Sequence, residues 1–316
     1  MRKLTEHDGI KLNAIAGTYV VTLGWDMAEH DCDGLMGFSV YRVDHTENEA
    51  YYLEGIKCFA ETDPGFPSGA SYPTDEQPVQ SFQWADYTAK PGHEYSYTVA
   101  ALGGTPSQLQ VRRSAGLDIT TESPESGDQD IYFNRGVAGS QAYVKRFGDR
   151  KPDKVPNRQA WIWLSRGLYE ALCDFVESAI PGKHTLRIAA YEFHYPDFLR
   201  RLKDAIGRGV DVEVVYDGRK AKPGDTNRTA ILAVDQAGGK KLADHCTERT
   251  KNSSYIAHNK FIVKLEDGNP QSVWTGGTNF SDGGIFGHSN VGHLIEDPDI
   301  AGLYLQYWDA LAILSY

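Results

Sequence analysis

The segment 257–267, Ala-His-Asn-Lys-Phe-Ile-Val-Lys-Leu-Glu-Asp, places a histidine and a lysine two positions apart. Its apolar residues predict a buried strand. Because strand side chains alternate between two faces, His258 and Lys260 would share one face, opposite Asn259 and Phe261. A lysine on a buried strand needs a counter-charge, since an unpaired buried charge is costly. A phosphate group would supply that charge, and a nearby imidazole can attack phosphorus.

Two later segments also suit an anion. The segment 274–281, Trp-Thr-Gly-Gly-Thr-Asn-Phe-Ser, has glycines that let backbone approach a ligand and then an amide, Asn279. Asn290 follows in the segment 287–295. His258 alone could be a structural histidine, but its spacing from Lys260, Asn279 and Asn290 favours a functional interpretation.

Taken together, these segments resemble the phospholipase D superfamily. The core motif of that superfamily is His-x-Lys with an Asp seven positions after the His. A Gly-Ser-x-Asn stretch follows, and then an Asn or Glu at the head of another strand. His258 and Lys260 match the first part, Asn279 the second and Asn290 the third. The resemblance covers about residues 131–316.

The resemblance implies metal-independent hydrolysis or transfer of a phosphodiester through a phosphohistidine, with no cofactor. His258 would be the nucleophile or its acid partner. Lys260 and Asn279 would bind the phosphoryl oxygens and stabilise the transition state. Asn290 would orient His258 or the phosphate. The remaining substrate contacts would come from Gly277 and Thr278.

Two positions depart from the motif of the superfamily. Leu265 stands where the motif has its Asp, and Asp267, two residues further, could replace it as acidic support if the strand continues. Gly277 stands where the motif has a Ser, so the hydroxyl that helps to hold phosphate is missing. Glu192 could also point into the site, although a solvated position at the edge of the core is the preferred interpretation.

The superfamily uses two His-x-Lys motifs related by a two-fold axis, with one His as nucleophile and the other as acid and base. The ten histidines of this chain give one such motif. We therefore expect either a homodimer or a second half beyond Tyr316. The apolar stretch 304–314 would then lie near the interface or the missing half. His288 and His293, beside Asn290, are interpreted as loop and core residues.

The region from 131 onwards reads as an α/β domain, because predicted strands and helices alternate along it. The predicted strands are 185–191, 210–216, 256–265, 272–274 and 291–295, and the predicted helices are 158–179, 196–206, 226–237 and 300–314.

The first 121 residues read as an all-β sandwich. Strands are predicted at 19–25, 38–43, 51–54, 81–84, 90–102 and 117–121, about the density of an immunoglobulin-like fold. Trp25, Tyr95 and Tyr97 are expected in its core. Together with Pro91-Gly92, they make the region resemble a fibronectin type III domain, in which the Tyr95 hydroxyl would contact upstream backbone. Residues 122–130 are acidic and lack apolar residues, which predicts a linker.

The composition limits the substrate classes. The chain has 316 residues, enough for about two domains, and a net charge of −11. Such a charge gives no global attraction to nucleic acid, which slightly favours phospholipid over a nuclease function. A local basic groove remains open, from Arg219, Lys220, Lys222, Lys240 and Lys241. A binding module that has lost turnover is the alternative to an enzyme, and Leu265 and Gly277 favour it.

The sequence offers no membrane span and no secretory signal, so a cytoplasmic protein is expected. Its four cysteines have no CxxC spacing, which predicts reduced thiols and no zinc site. In a secreted protein, Cys32 and Cys58 would be the pair to suspect.

Overall fold

The structure is a computed structural model that describes residues 1–63, 65, 70–136, 140–219, 222–250 and 256–313. The chain divides into two compact units, Met1–Pro124 and Glu125–Tyr316. No helix among the described residues is long and apolar enough to cross a bilayer. All four cysteines are unpaired.

The first unit is built from antiparallel strands. Two four-stranded sheets, ordered β1-β2-β3-β8 and β10-β9-β4-β5, share one hydrophobic core. The strands are β1 (Arg2–His7), β2 (Ile10–Ala16), β3 (Val21–Met27), β4 (Leu35–Asp44), β5 (Glu49–Tyr52), β6 (Glu54–Gly55), β7 (Tyr72–Pro73), β8 (Gln83–Asp86), β9 (Glu94–Thr105) and β10 (Gln108–Thr120).

The aromatic residues predicted for this core lie in it. Trp25, Tyr95 and Tyr97 are all buried. The Tyr95 hydroxyl accepts a hydrogen bond of 2.8 Å from the Lys90 backbone amide, which is the predicted contact with upstream backbone. The Tyr97 hydroxyl donates to Asp86, whose carboxylate also pairs with the buried guanidinium of Arg42. The hydroxyls of Tyr95 and Tyr97 are therefore satisfied, whereas Trp25 Nε1 is buried and has no hydrogen-bond partner among the described residues.

The sequence analysis missed β1 and β2 and shortened β10. Every residue of β1 is exposed or half-buried, so it lacks the apolar alternation that identifies a strand. The first half of β10 is also mostly exposed and contains Arg112 and Arg113. β1 is a strand because it pairs with β2, and the first half of β10 is a strand because it pairs with β9. Such pairing depends on tertiary structure and cannot be predicted from the local sequence.

The second unit is a three-layer α/β domain. Its eight-stranded sheet has the order β11-β12-β18-β17-β16-β13-β14-β15, in which β13, β14 and β15 are parallel. Its elements are β11 (Glu125–Ser126), β12 (Gln129–Phe133), α1 (Gln141–Phe147), α2 (Gln159–Ser165), α3 (Leu168–Glu177), β13 (His184–Ala190), α4 (Pro196–Arg208), β14 (Asp211–Asp217), α5 (Gly224–Asp235), β15 (Cys246–Arg249), β16 (Lys260–Glu266), β17 (Asn269–Gly276), β18 (Val291–Ile295) and α6 (Pro298–Ile313).

The sheet is covered on both faces, because its central strands carry apolar side chains on each side. Along β16, Ile262 packs into the core that contains α2 to α5. Phe261 and Val263 point the other way and pack against α6, with Trp308 among their contacts. The predicted helix 300–314 is thus confirmed as α6 up to Ile313, and Leu314 lies outside the described residues.

Two predicted elements differ from the structure. The helix predicted at 158–179 is divided into α2 and α3, because Arg166 and Gly167 have positive φ values of 51° and 88°. The predicted linker 122–130 contains β11 and the start of β12, whose backbone pairs with β18 despite the polar sequence. The helix α1 and the strand β15 were not predicted.

The hydrogen bond between Tyr95 and the Lys90 amide can be tested through the stability of the first unit. We expect Tyr95→Phe to lower the opening free energy of this unit by about 1–2 kcal/mol, since the Lys90 amide loses its partner. Hydrogen exchange on peptides of the full chain would measure it. Tyr87→Phe is the control, because Tyr87 is 75% exposed. An equal effect of both changes would contradict the assigned contact.

Candidate functional site

The predicted site residues collect at one end of the eight-stranded sheet. The parallel strands β13 and β14 end there, β16 begins there, and the register pairs Ala190 of β13 with Lys260 of β16. Strand β17 ends on the same side at Gly276. Ligands of α/β proteins commonly bind at the carboxyl ends of parallel strands.

His258 and Lys260 are in contact, but not as two residues of one strand. Strand β16 begins at Lys260, so His258 lies in the segment before it, and the prediction of a shared strand face is wrong. The Lys260 ammonium lies 3.0 Å from His258 Nδ1 and donates over 3.0 Å to the His258 carbonyl. Lys260 is only 8% exposed, whereas His258 is exposed.

The end of β14 fixes the segment that carries His258. Asp217 is 1% exposed, and its carboxylate accepts a hydrogen bond of 3.3 Å from the Ala257 amide. The same carboxylate pairs with Arg219 at 2.9 Å. Arg219 of the predicted basic loops is therefore neutralised by its own neighbour, and Lys220 lies outside the described residues.

Tyr191 forms a wall of the site that the sequence analysis missed. Its ring lies 4.5 Å from the His258 ring, and the Lys260 ammonium lies 5.5 Å from its centroid. The aromatic face attracts the cation and shields it from water. The only sequence signal was its position at the end of a predicted strand.

Partial desolvation and neighbouring charges shift the pKa values of both groups. Desolvation lowers the pKa of Lys260 to about 8, and the attraction of Glu192 only partly opposes this. Desolvation, together with the adjacent Lys260 charge, also lowers the pKa of His258, again against Glu192. At pH 7 the site therefore holds a lysine that is still a cation beside an imidazole that is neutral.

Glu192 reaches the site from the end of β13. Its Oε2 accepts hydrogen bonds from Asn279 Nδ2 over 3.1 Å and from Ser281 Oγ over 2.7 Å. It also attracts both His258 and Lys260. The interpretation of Glu192 as a solvated residue at the edge of the core is therefore wrong. Asn279 Oδ1 is buried and accepts no hydrogen bond from the described residues.

The other predicted site residues shape the loop between β17 and β18. The Asn290 amide donates to the Gly284 carbonyl over 2.7 Å. The hydroxyl of Thr278, which is 3% exposed, donates to the Val291 carbonyl. Gly277 is exposed, and a Cβ added there would lie 3.3 Å from Asn290 Oδ1. Asn290 and Thr278 thus hold the loop through their own hydrogen bonds.

Asp267 does not support the site. It follows β16 in a turn with φ 48°, and its amide donates to the Lys183 carbonyl. At about 3.3 Å per residue, the strand places it roughly 23 Å from Lys260. The expectation that Asp267 keeps the strand face and stands in for the motif's Asp is therefore wrong, because β16 ends at Glu266.

An open cleft of about 440 Å³ begins at the His258–Lys260 pair and runs along α6. Its walls combine polar groups with the rings of three aromatic residues, and it is lined by His258, Asn259, Lys260, Phe261, Thr275, Gly276, Leu303, Tyr304 and Tyr307. The Tyr307 hydroxyl donates to Asn259 Oδ1 over 3.2 Å. A group attached to an anion at Lys260 could lie in this cleft.

Among the described residues, the group of side chains best placed to hold a metal lies in the first unit. Asp44, Glu47 and Glu49 bring their carboxylates close together there. Asp44 is already held by His93 and by two backbone amides, and Glu47 pairs with Lys90. These carboxylates therefore have partners other than a metal.

Residues 172–312, which contain the whole site, match the family model described as cardiolipin synthase, PLD-like domain. The match covers less than half of the chain, and it makes this part of the second unit similar to phospholipase D-like domains. This finding agrees with the resemblance stated on His258, Lys260, Asn279 and Asn290. No curated protein matches the chain.

Three solved structures are similar to parts of this chain. Nuc from Salmonella typhimurium, a phospholipase D family member, is 26% identical over 47% of this chain and 88% of its own, with a TM-score of 0.38. NucT from Helicobacter pylori is 22% identical over 47% and 89%, with a TM-score of 0.36. Phosphatidylserine synthase from Haemophilus influenzae Rd KW20 is 11% identical over 66% and 42%, with a TM-score of 0.37.

The buried cation makes stability depend on pH. A lysine whose pKa is lower in the folded state than in the unfolded state destabilises the folded protein at any pH below its folded pKa. This destabilisation decreases as pH rises towards 10.5, the pKa of the unfolded state. We expect the free energy of unfolding to rise between pH 8 and pH 10 by up to about 3 kcal/mol. In Lys260→Met this rise should be smaller by that amount. Denaturant unfolding of both proteins would measure it, and identical pH profiles would contradict the buried cation.

Proposed function

We propose that the phospholipase D-like domain is a metal-independent phosphodiesterase that acts through a phosphohistidine on His258. The observation that carries the proposal is the contact between the buried Lys260 ammonium and the His258 ring. A buried cation provides an anion site, and a neutral imidazole beside it provides a nucleophile.

The hydrogen bond between them suggests the order of events. An ammonium can only donate, so its bond to Nδ1 requires a lone pair on that nitrogen and places the ring proton on Nε2. When a phosphodiester enters, Lys260 turns to a phosphoryl oxygen and frees the imidazole lone pair. The buried cation thus couples substrate binding to activation of the nucleophile.

The reaction then has two displacements. In the first, an imidazole nitrogen of His258 bonds to phosphorus, the bond from phosphorus to the leaving oxygen breaks, and an acid protonates that oxygen. In the second, water attacks phosphorus, a base takes its proton, and the bond between nitrogen and phosphorus breaks. Lys260 and the amide of Asn279 stabilise the charge on the phosphoryl oxygens in both steps.

The acid needs a second group besides His258. One imidazole cannot be both the neutral nucleophile and the protonated acid in the same step. We propose that a symmetric homodimer supplies the second His258 across its two-fold axis. The exposed side chains Leu303 and Tyr307 of α6, in the cleft beside His258, are then near the pairing surface.

The proposal covers phosphodiesters as a class, and experiment must identify which groups are esterified to the phosphate. Phospholipid remains slightly favoured over nucleic acid, since the chain has a net charge of −11 and Arg219 is already paired with Asp217. A binding module without turnover is the second candidate, favoured by Leu265 in place of the motif's Asp and by the missing hydroxyl at Gly277. We further propose that the first unit is a fibronectin type III-like sandwich that docks a partner.

The direct test is turnover of bis(p-nitrophenyl) phosphate in the presence of EDTA. We expect His258→Ala and Lys260→Ala each to lower kcat by about 10³-fold or more, because each removes a reacting or charge-stabilising group. His288→Ala is the control, since His288 is exposed and its carbonyl, not its ring, holds Asn134. Parent-like turnover by either site variant places the site elsewhere, and no turnover by the parent supports the binding module.

The homodimer predicts a dependence on concentration. Specific activity should fall when the chain is diluted below its dimer dissociation constant, because each site loses its second His258. Light scattering on the same samples would report the dimer. A monomer with full activity at every concentration is the outcome that would overturn the shared site.

A further inference from the structure

Glu192 accepts hydrogen bonds from Asn279, which the proposed function assigns to phosphate, and from Ser281 beside it. Its Oε2 accepts from Asn279 Nδ2 over 3.1 Å and from Ser281 Oγ over 2.7 Å. Ser281 is only 1% exposed and Glu192 is half-buried, so these bonds are shielded from water. A negatively charged side chain thus lies against Asn279, a donor that a phosphoryl oxygen would use.

The position of Glu192 is unexpected for an anion site. A carboxylate among phosphate-binding donors competes with the substrate for Asn279 and repels its charge. Among the described residues, Glu192 is also the carboxylate whose attraction reaches both Lys260 and His258. Its charge therefore acts on the whole site and offsets that of Lys260.

Resting on the proposed function, we propose that Glu192 is a specificity residue that makes the site favour singly charged phosphodiesters over doubly charged phosphomonoesters. With His258 neutral, the charges of Lys260 and Glu192 sum to about zero. A dianion then receives little net attraction, although its desolvation cost rises with the square of its charge. A monoanion has a much smaller desolvation cost and keeps its hydrogen bonds to Lys260 and Asn279.

The same carboxylate would favour release of the product. Hydrolysis adds water across one phosphorus–oxygen bond, so a singly charged diester becomes an alcohol and a monoester. At pH 7 that monoester carries about two charges, because its second pKa is about 6. A site that rejects dianions therefore binds its product less tightly than its substrate. In a symmetric dimer each chain would add one Lys260 and one Glu192, so the balance is unchanged.

The test compares two ligands that differ by one methyl group and one charge. Methyl phenyl phosphate is a monoanion, and phenyl phosphate is mainly a dianion at pH 7. Calorimetry on the full chain should show the diester binding at least about tenfold more tightly. In Glu192→Gln, which keeps an acceptor for Asn279 and Ser281, phenyl phosphate should bind about tenfold more tightly, and methyl phenyl phosphate about threefold.

Glu170→Gln is the matched control, because Glu170 also accepts a serine hydroxyl, that of Ser165, in another part of the unit. It should leave both affinities unchanged. Equal tightening of both ligands in Glu192→Gln, or no tightening, overturns the proposal. If that variant does not fold, the parent protein alone provides the test. A parent protein that binds phenyl phosphate as tightly as methyl phenyl phosphate contradicts the proposal.

The outcomes separate this inference from the proposed function. Ligand discrimination by a protein that does not turn over bis(p-nitrophenyl) phosphate supports Glu192 as a specificity residue and counts against the enzyme. Turnover without discrimination supports the enzyme and counts against the role of Glu192. A parent that binds neither ligand counts against both.

Discussion

The burial of the Lys260 ammonium is the constraint on which the site depends. The side chain is 8% exposed, and the ring of Tyr191 covers it on one side. The protein satisfies this cation with the His258 ring, the His258 carbonyl and the more distant charge of Glu192. Because these partners do not fully replace water, the pKa of Lys260 stays below its usual range, and a phosphoryl oxygen would be a better partner.

The fold maintains this arrangement through backbone and side-chain contacts around one end of the sheet. Strand β14 contributes Asp217, which holds the backbone beside His258. Strand β17 ends at Gly276, whose φ of 131° places it so close to Val291 that a Cβ would lie 2.3 Å from the Val291 carbonyl oxygen. The loop after it is held by Asn290 and brings Asn279 to Glu192. Gly276 and Asn290 therefore set the shape of the loop, and their neighbour Asn279 lies in the proposed site.

The sequence predicted the α/β class, most helices and strands of the second unit, and the pairing of His258 with Lys260. Those features depend on local periodicity and on spacing within one segment. The sequence could not place Tyr191 and Glu192, because their contacts join β13 to segments about 70 and 90 residues further along the chain. Asp267 was misplaced because the periodicity of the segment does not show where the strand stops: β16 ends at Glu266 and leaves Asp267 in a turn.

The central claim is that His258 carries the phosphoryl group during turnover, and trapping that intermediate tests it most directly. A single turnover of bis(p-nitrophenyl) phosphate would be stopped with alkali, which preserves a bond between phosphorus and imidazole nitrogen, and the peptides would be sequenced by mass spectrometry. The account predicts a phosphoryl adduct on His258 that is absent from His258→Ala. Turnover that leaves His258 unmodified at every time point, or that modifies a different residue, would contradict it.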